Sequence, residues 1–325
     1  MMPLSDRYDR QMILPKIGTD GQAKLARIKM LVVGAGGLGA PVLSYLAGAG
    51  IGHITIIDHD VVSASNLHRQ TLFAESQIGQ SKASLAASFC RNLNQKIDVT
   101  ALDQKLTALN AVDLVAAADI VLDCADSFAA SYILSDICRD SATPFISASA
   151  LGMGGYVGGF CGTAPSLRAV FPDLPANLAS CATAGVMGPV VGVLGSLQAQ
   201  MALSVALSLS PSPLGQLIRY DAGTMRTAHF RFDAAHEPAE VHSFVDASTI
   251  RDDDLVIELR GKDEAPVAVT PNALRFDVAT IATQFPSDTA HRRVILCCRS
   301  GLRAWQAAHI IHPKWNGEIA LVAAN

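Results

Sequence analysis

KMLVVGAGGLGAPVLSYLAGAGIGHITIIDHD, residues 29–60, reads as strand, glycine turn, helix and strand in succession. Residues 29–34 form an apolar run suited to a strand buried on both faces, and 40–50 have the length of a crossover helix. Between them Gly34, Gly36, Gly37 and Gly39 fit G-x-G-x-x-G at a strand-to-helix junction. Glycines suit a turn where the backbone must approach a polyphosphate, whose charge then sits at a helix N-terminus. The next strand, 53–58, ends in Asp58, nineteen residues after Gly39 and placed to accept hydrogen bonds from a ribose.

Outward from this unit, strand-like runs continue at 97–103, 119–124, 144–150 and 154–160, with helical patterns at 79–94 and 128–140. The alternation predicts an α/β fold, a Rossmann-like, mostly parallel sheet with crossover helices. Residues 161–182 carry Pro165, Pro172 and Pro175 without periodicity and predict a long loop. No charged residue lies between Asp173 and Arg219, and 183–209 is long and apolar enough to cross a bilayer. Pro189, Ser196, Gln198 and Gln200, without basic or aromatic flanks, favour a helix buried in a core or subunit interface, and no membrane. Residues 215–232 predict an antiparallel strand pair turning at Ala222–Thr224. The expected division is a domain over 1–232, a polar linker over 233–242, and a small α/β domain over 243–325. The last contains strands in LVIEL and RRVILCC and a helix in LRAWQAAHII.

The 325 residues, half of them apolar and 17% charged, suffice for a packed core in both parts. A net charge of −4 gives no general affinity for nucleic acid or an anionic membrane surface. Seven cysteines, an odd number without a framework, imply free thiols in a reducing compartment. MMPLSDRYDRQ lacks a signal-peptide apolar stretch, so a cytoplasmic protein is expected.

The glycine turn and Asp58 alone favour an NAD-dependent oxidoreductase. The residues beyond Asp58 change that reading. Asp60 is followed by Ser65, Asn66 and Arg69, then Lys82 at a helix start, then Asp126 and Ser127 after a strand. Strand ends line the ligand crevice of an open α/β sheet, so these groups can converge there. Two cations and an amide suit a triphosphate, whose developing charge needs clamps. Asp126 offers a hard oxygen ligand for magnesium bound with phosphate.

Residues 7–73, RYDRQ through HRQTLF, together with GQSKA, DIVLDCADS and CATAGVMGPVVGVLGSLQA, resemble the ThiF/MoeB/HesA family of ubiquitin-activating-like adenylyltransferases. The resemblance covers about residues 7–232 and rests on several motifs in order. It implies that Gly37, Asp58, Ser65, Asn66, Arg69, Lys82 and Asp126 bind ATP with magnesium. It implies a homodimer in which Arg10 reaches the partner subunit's phosphates. The implied reaction is adenylation of the C-terminal carboxylate of a ubiquitin-like sulfur-carrier protein. A carboxylate is already ionised, so positioning and charge stabilisation suffice without a general base.

The chain departs from the family pattern in three places. Ser166 and Ala169 stand where the family has one C-x-x-C pair of a structural zinc, and HEPA (236–239) lacks the other. A thiolate zinc site is therefore not expected, and the crossover loop should be less tethered. Ser127 and Ser131 stand where the family favours Asn and Arg, which leaves a non-catalytic carrier-binding scaffold as an alternative.

Resemblance marks Cys181, in SCATAG before the apolar helix, as the thiol for a covalent link to the carrier; a helix N-terminus would favour its thiolate. Cys90, Cys124, Cys138 and Cys161 fall on predicted helices or strands as small core residues. Cys297-Cys298-Arg-Ser-Gly-Leu-Arg303 sits between a strand and a helix, where backbone N–H groups and the helix dipole can cradle a sulfur. Cys298 to Arg303 spans C-x4-R and resembles the active loop of rhodanese-type sulfurtransferases; Cys297 to Arg303 has the C-x5-R spacing of cysteine phosphatases. IELRG (257–261) and TPNAL (270–274) keep only traces of other rhodanese signatures. A rhodanese-like role for Cys298 implies a sulfur donor such as a cysteine desulfurase and a product thiocarboxylate for molybdopterin, thiamin or tRNA thiolation.

Overall fold

In the computed structural model, which describes residues 6–173, 185–286 and 293–324, the apolar runs become strands in the expected order. They are β1 (Lys29–Val33), β2 (His53–Ile57), β3 (Asp98–Leu102), β4 (Ile120–Asp123), β5 (Phe145–Leu151) and β6 (Gly154–Phe160). β7 (Gln216–Asp221) and β8 (Arg226–Arg231) complete a sheet of order β3-β2-β1-β4-β5-β6-β7-β8. The first five in that order pair in parallel. The last three are antiparallel to their neighbours, including the pair around Ala222–Thr224.

Short helices α1 (Asp9–Met12) and α2 (Gly18–Leu25) precede β1, and α3 (Gly39–Ala49) and α4 (Lys82–Leu93) follow β1 and β2. α5 (Ala108–Ala116), unanticipated, begins at a capping box in which Thr107 Oγ1 accepts from Asn110 N and Asn110 Oδ1 accepts from Thr107 N. α6 (Phe128–Asp140) follows β4. Helices α3 and α4 bury Leu43, Leu46 and Ala86 on one face of the sheet; α5 and α6 bury Ala111, Val115 and Leu134 on the other. A sheet covered on both faces explains why β1 is apolar at every position from Met30 to Val33.

The segment expected as an unstructured loop holds a short helix, α7 (Leu167–Val170), whose N-terminal Ser166 accepts from Ala169 N. α8 (Gly188–Ala206) is long and apolar enough to span a membrane by length and composition. Here it packs against α3, β5 and β6. Its central Gln198 is fully buried: Nε2 donates to Asp123 O (2.7 Å) and Ile146 O (2.9 Å), and Oε1 accepts from the Cys124 thiol (3.4 Å). Each polar atom of that amide is satisfied on the ends of β4 and β5, so the helix has a specific partner in the sheet.

A second sheet contains β9 (Ser243–Phe244), β10 (Leu255–Glu258), β11 (Leu274–Arg275), β12 (Val294–Cys298) and β13 (Ile319–Ala323). Its order is β11-β10-β12-β13-β9, all parallel. α9 (Ile281–Gln284) and α10 (Leu302–Ile311) belong to this part. One face packs with α10 and with α6, whose Ala129 and Tyr132 share a core with Trp305, Phe244 and Leu296. α6 thus lies between the two sheets. Residues 233–242, expected as a linker, are instead held to the rest of the chain through Glu237, Glu240 and His242.

Candidate nucleotide site

The strand order reverses between β1 and β4, which leaves a crevice at their C-terminal ends, the place where open α/β sheets bind ligands. Gly34 turns the chain there at φ 93°, and a Cβ on it would lie 2.7 Å from Cys124 O on the neighbouring strand end. A Cβ on Gly39 would lie 2.3 Å from Gly34 O, so only glycine lets α3 start this close to β1. Gly36 and Gly37 face Gln70 and Arg69.

Asp58 ends β2 and is tied to the turn. Its Oδ2 accepts from Ala35 N (2.7 Å) and its Oδ1 from Asp60 N (2.8 Å). Each oxygen keeps a lone pair for a ligand hydroxyl. Burial raises the pKa of this carboxyl above the ordinary value, opposed by those two backbone donors and by Lys82. Lys82 opens α4 and is buried, its Nζ 2.9 Å from Asp60 Oδ2.

The 3-10 turn Ala64–Asn66 places Ser65 and Asn66, and Arg69 then folds back with Nη1 bonded to Ser65 O (3.0 Å) and His68 Nε2 (2.9 Å). Gly188, opening α8, lies against His68 O, so the long apolar helix starts beside this segment. Gln70, absent from the expected site, is buried with Oε1 lacking a hydrogen-bond partner; Thr270 Oγ1 is the other such atom among the described residues. An orphaned acceptor beside a glycine turn suits a ligand that brings a donor.

Beyond β4, Asp126 and Ser127 are exposed at the mouth of the crevice. Asp123, behind them, is fully buried and accepts from Ser147 Oγ (2.8 Å) and Ala125 N (3.2 Å). Burial outweighs these bonds and that from Ser131, and pushes the Asp123 carboxyl up to about 6. The structure thus brings Asp58, Asp60 and Lys82 together beside the glycine turn, sets Arg69 against Gly37, and leaves Asp126 and Ser127 just after the neighbouring strand end.

Arg10 is not part of that gathering within its own chain. Gln11 Nε2 donates to Ala49 O, and Tyr8 lies against Gly50, so α1 sits at the far end of α3. Eleven residues of helix put that end about 16 Å from the glycine turn. Cys181 lies outside the described residues.

The described start of the crossover loop, 161–173, is tethered without a thiolate site, and its remainder lies outside the described residues. Ser166 N and Oγ donate to the two carboxylate oxygens of Glu237 (2.7 and 2.6 Å), joining the two segments that carry the family's zinc cysteines. Arg168 adds a bidentate pair with Asp136 (2.6 and 2.8 Å), with its guanidinium over the Tyr132 and Trp305 rings. Hydrogen bonds hold this loop where thiolates would have.

Cys298 ends β12 fully buried, with Gly301 N (3.1 Å) and Ala304 N (3.4 Å) donating to its sulfur. The expected N–H cradle is present. Phe244 and Phe128 pack over Gly301, so α6 closes the loop from outside. Arg303 donates to Leu259 O and Glu264 and also interacts with the Cys298 sulfur. Cys90, Cys124 and Cys138 are buried in helices and at a strand end as expected. Cys161 is buried too, but in the turn after β6 rather than on the strand, at φ 56°.

A glycine turn at a switch point, a ribose-directed carboxylate, two cations and an exposed strand-end carboxylate define a nucleotide-binding α/β protein. Residues 8–241 match the model of the ThiF family, and the chain belongs to that family. It is 45% identical over 219 residues to the adenylyltransferase and sulfurtransferase MOCS3 of Bos taurus, covering 66% of this chain and 48% of that protein. It is 36% identical over 222 residues to the SAMP-activating enzyme E1 of Haloferax volcanii, covering 68% of this chain and 82% of that protein. The matched region thus spans about half the length of the MOCS3 relative. Among solved structures, E. coli MccB with ATP is similar in fold, at TM-score 0.62 and 23% identity over 71% of this chain and 72% of that one.

Proposed function

We propose that this chain adenylates the C-terminal carboxylate of a ubiquitin-like sulfur-carrier protein, using ATP. The observation that carries the reading is the glycine turn at the β1/β4 switch point, with Asp58 bonded to its Ala35 N, Arg69 against Gly37 and Lys82 paired with Asp60. Asp58 and the turn hold ribose and phosphates. The carrier carboxylate attacks the α-phosphorus, a P–O bond forms, and pyrophosphate leaves. Arg69 and Lys82 stabilise the charge that develops on the phosphoryl oxygens; Lys82 exchanges Asp60 for phosphate to do so. Asp126 fits a magnesium ion that keeps most of its ligands as phosphate oxygens and water, because it is an exposed hard oxygen donor at the crevice mouth. Bound there, magnesium would supply charge neutralisation between the phosphates.

Gln200 of α8 and exposed Tyr45 of α3 line one surface groove, and Val193 of α8 and Ile13 and Leu14 beyond α1 are exposed. This surface supports a homodimer that would bring Arg10 to the partner's crevice. For the C-terminal part we propose a rhodanese-like role. A persulfide on Cys298, charged by a donor such as a cysteine desulfurase, displaces AMP, and a second thiol then frees the carrier thiocarboxylate. Burial of Cys298 beneath Phe128 and Phe244 requires that loop to open first.

Ser131, bonded back to Ser127 O at 3.4 Å, favours a second reading, a carrier-binding scaffold without chemistry. Mass spectrometry of a cognate carrier incubated with the protein and magnesium-ATP separates the two. The enzyme yields a carrier–AMP adduct that the Lys82→Ala variant does not; a scaffold binds the carrier and yields none with either.

A further inference from the structure

Three histidines meet where the 168–173 loop, the 238–242 segment and α10 come together. His242 lies 5.7 Å from His309 and 5.4 Å from His312, ring centroid to centroid. The cavity they share with Asp173 and Glu240 has a volume of about 170 Å³. His309 Nε2 is 3.5 Å from Asp173, and His312 Nε2 contacts Glu240 Oε2. None of these residues belongs to the nucleotide crevice or to the Cys298 loop.

The second contact of His309 gives the cluster its chemical direction. Its Nδ1 lies 3.0 Å from Trp305 O, an atom that can only accept. Nδ1 therefore carries a proton, and Nε2 is the nitrogen that faces the cavity, on the side of Asp173. A backbone carbonyl fixing one ring nitrogen while the other faces a site is the usual support of a metal-binding histidine.

Charge and spacing agree with this. Arg168 also lines the cavity, but its guanidinium is paired with Asp136, which leaves Glu240 and Asp173 as the carboxylates beside the imidazoles. Two imidazoles sharing an ion at metal–nitrogen bonds of about 2.0–2.1 Å have centroids about 5–6 Å apart, the spacing found for both pairs. Imidazole with carboxylate selects zinc-like first-row ions over magnesium.

We propose that His242, His309 and His312, with Glu240, form a binding site for a divalent transition-metal ion of the zinc type. The ion enters between His312 and Glu240 and replaces their ion pair. It ties the segment that leads into the second sheet to the C-terminal end of α10. The ligating atoms close around it by side-chain rotation. The tighter gathering of such atoms found among the described residues is Asp58, His59 and Asp60 at the nucleotide crevice, which makes His59 the control.

The test is titration of the full chain, freed of metal, with Co²⁺ as a spectroscopic probe of the zinc-type site. One equivalent should bind with visible d–d absorption. His242→Ala and His309→Ala should each weaken binding by roughly 100-fold, and Glu240→Gln, a substitution on an exposed side chain, by roughly 10-fold. His59→Ala should bind as wild type does, and circular dichroism verifies that each variant is folded. Absence of a stoichiometric site overturns the proposal. So does loss of binding in His59→Ala alone, a near-ultraviolet thiolate-to-cobalt band, or wild-type affinity in folded Glu240→Gln and His309→Ala.

Discussion

Replacing Arg168 by methionine should separate the behaviour of the two sheets. The Arg168 side chain is 2% exposed and that of Asp136 15%. The guanidinium gives Asp136 two hydrogen bonds, gives His242 O a longer one at 3.3 Å, and covers the rings of Tyr132 and Trp305 at 4.6 and 5.1 Å. Methionine refills part of the stem's volume but leaves Asp136 charged and without its partner. Removing one member of a buried pair costs about 3–5 kcal/mol, and the two ring contacts add about 0.5–2 kcal/mol each. Against that stands the new thioether packing, so a net loss of about 4 kcal/mol is expected. Both tryptophans, Trp305 and Trp315, are buried in the core of the second sheet, so their fluorescence reports that part while far-ultraviolet circular dichroism reports the whole. In urea the variant's fluorescence transition should move to lower denaturant, ahead of the dichroism transition. Adding Asp136→Leu should recover about 2 kcal/mol, since the stranded charge goes with it. A loss below about 0.5 kcal/mol, the range of ordinary surface changes, would refute the reasoning; so would a strictly additive double variant.

Three further outcomes are expected. The Asp123 carboxyl is raised from 3.8 to about 6 by burial, so the folded state holds its proton more tightly than the unfolded state. The stability this contributes is fully present below about pH 4 and is lost as pH rises through about 6, roughly 3 kcal/mol in all; Asp123→Asn should flatten that stretch of the stability–pH curve measured by urea denaturation. Lys82→Ala should lower kcat for adenylation by about 10²–10³-fold, the usual effect of removing one charge-stabilising donor, while leaving carrier binding measured by calorimetry unchanged. Phe244→Ala should open the cover of Gly301 and speed alkylation of Cys298 by iodoacetamide, followed by peptide mapping; an unchanged rate would mean that the Phe244 ring does not gate this thiol.

The parallel sheet, its crossover helices and the glycine turn were legible because local patterns encode them. A strand buried on both faces needs a continuous apolar run, and 30–33 supplies one. Asp58, Lys82 and Asp126 follow a strand or open a helix, which is why the sequence could set them near one crevice, whereas Ser65, Asn66 and Arg69 lie on a 3-10 turn and the loop after it. What escaped depends on partners distant in the chain. β9 and β11 have two residues each, too short for a period. α5 carries its own start signal in Thr107 and Asn110, which a reading of apolar runs alone passes over. Gln198 spoke in sequence for a buried helix, but its acceptors, Asp123 O and Ile146 O, lie 75 and 52 positions away. The pairing of Ser166 with Glu237 spans 71 positions, and nothing local to either residue announces it. The burial of Cys298 depends on Phe128 from the first sheet's helix, again a contact without a local signature.

The adenylation chemistry is tested most directly by carrier-dependent exchange of labelled pyrophosphate into ATP in the presence of magnesium, with wild type beside Asp126→Ala. Exchange should require the carrier in wild type and fall to background in the folded variant. Exchange that persists without Asp126, or its absence from wild type with every cognate carrier supplied, would contradict the adenylation reading.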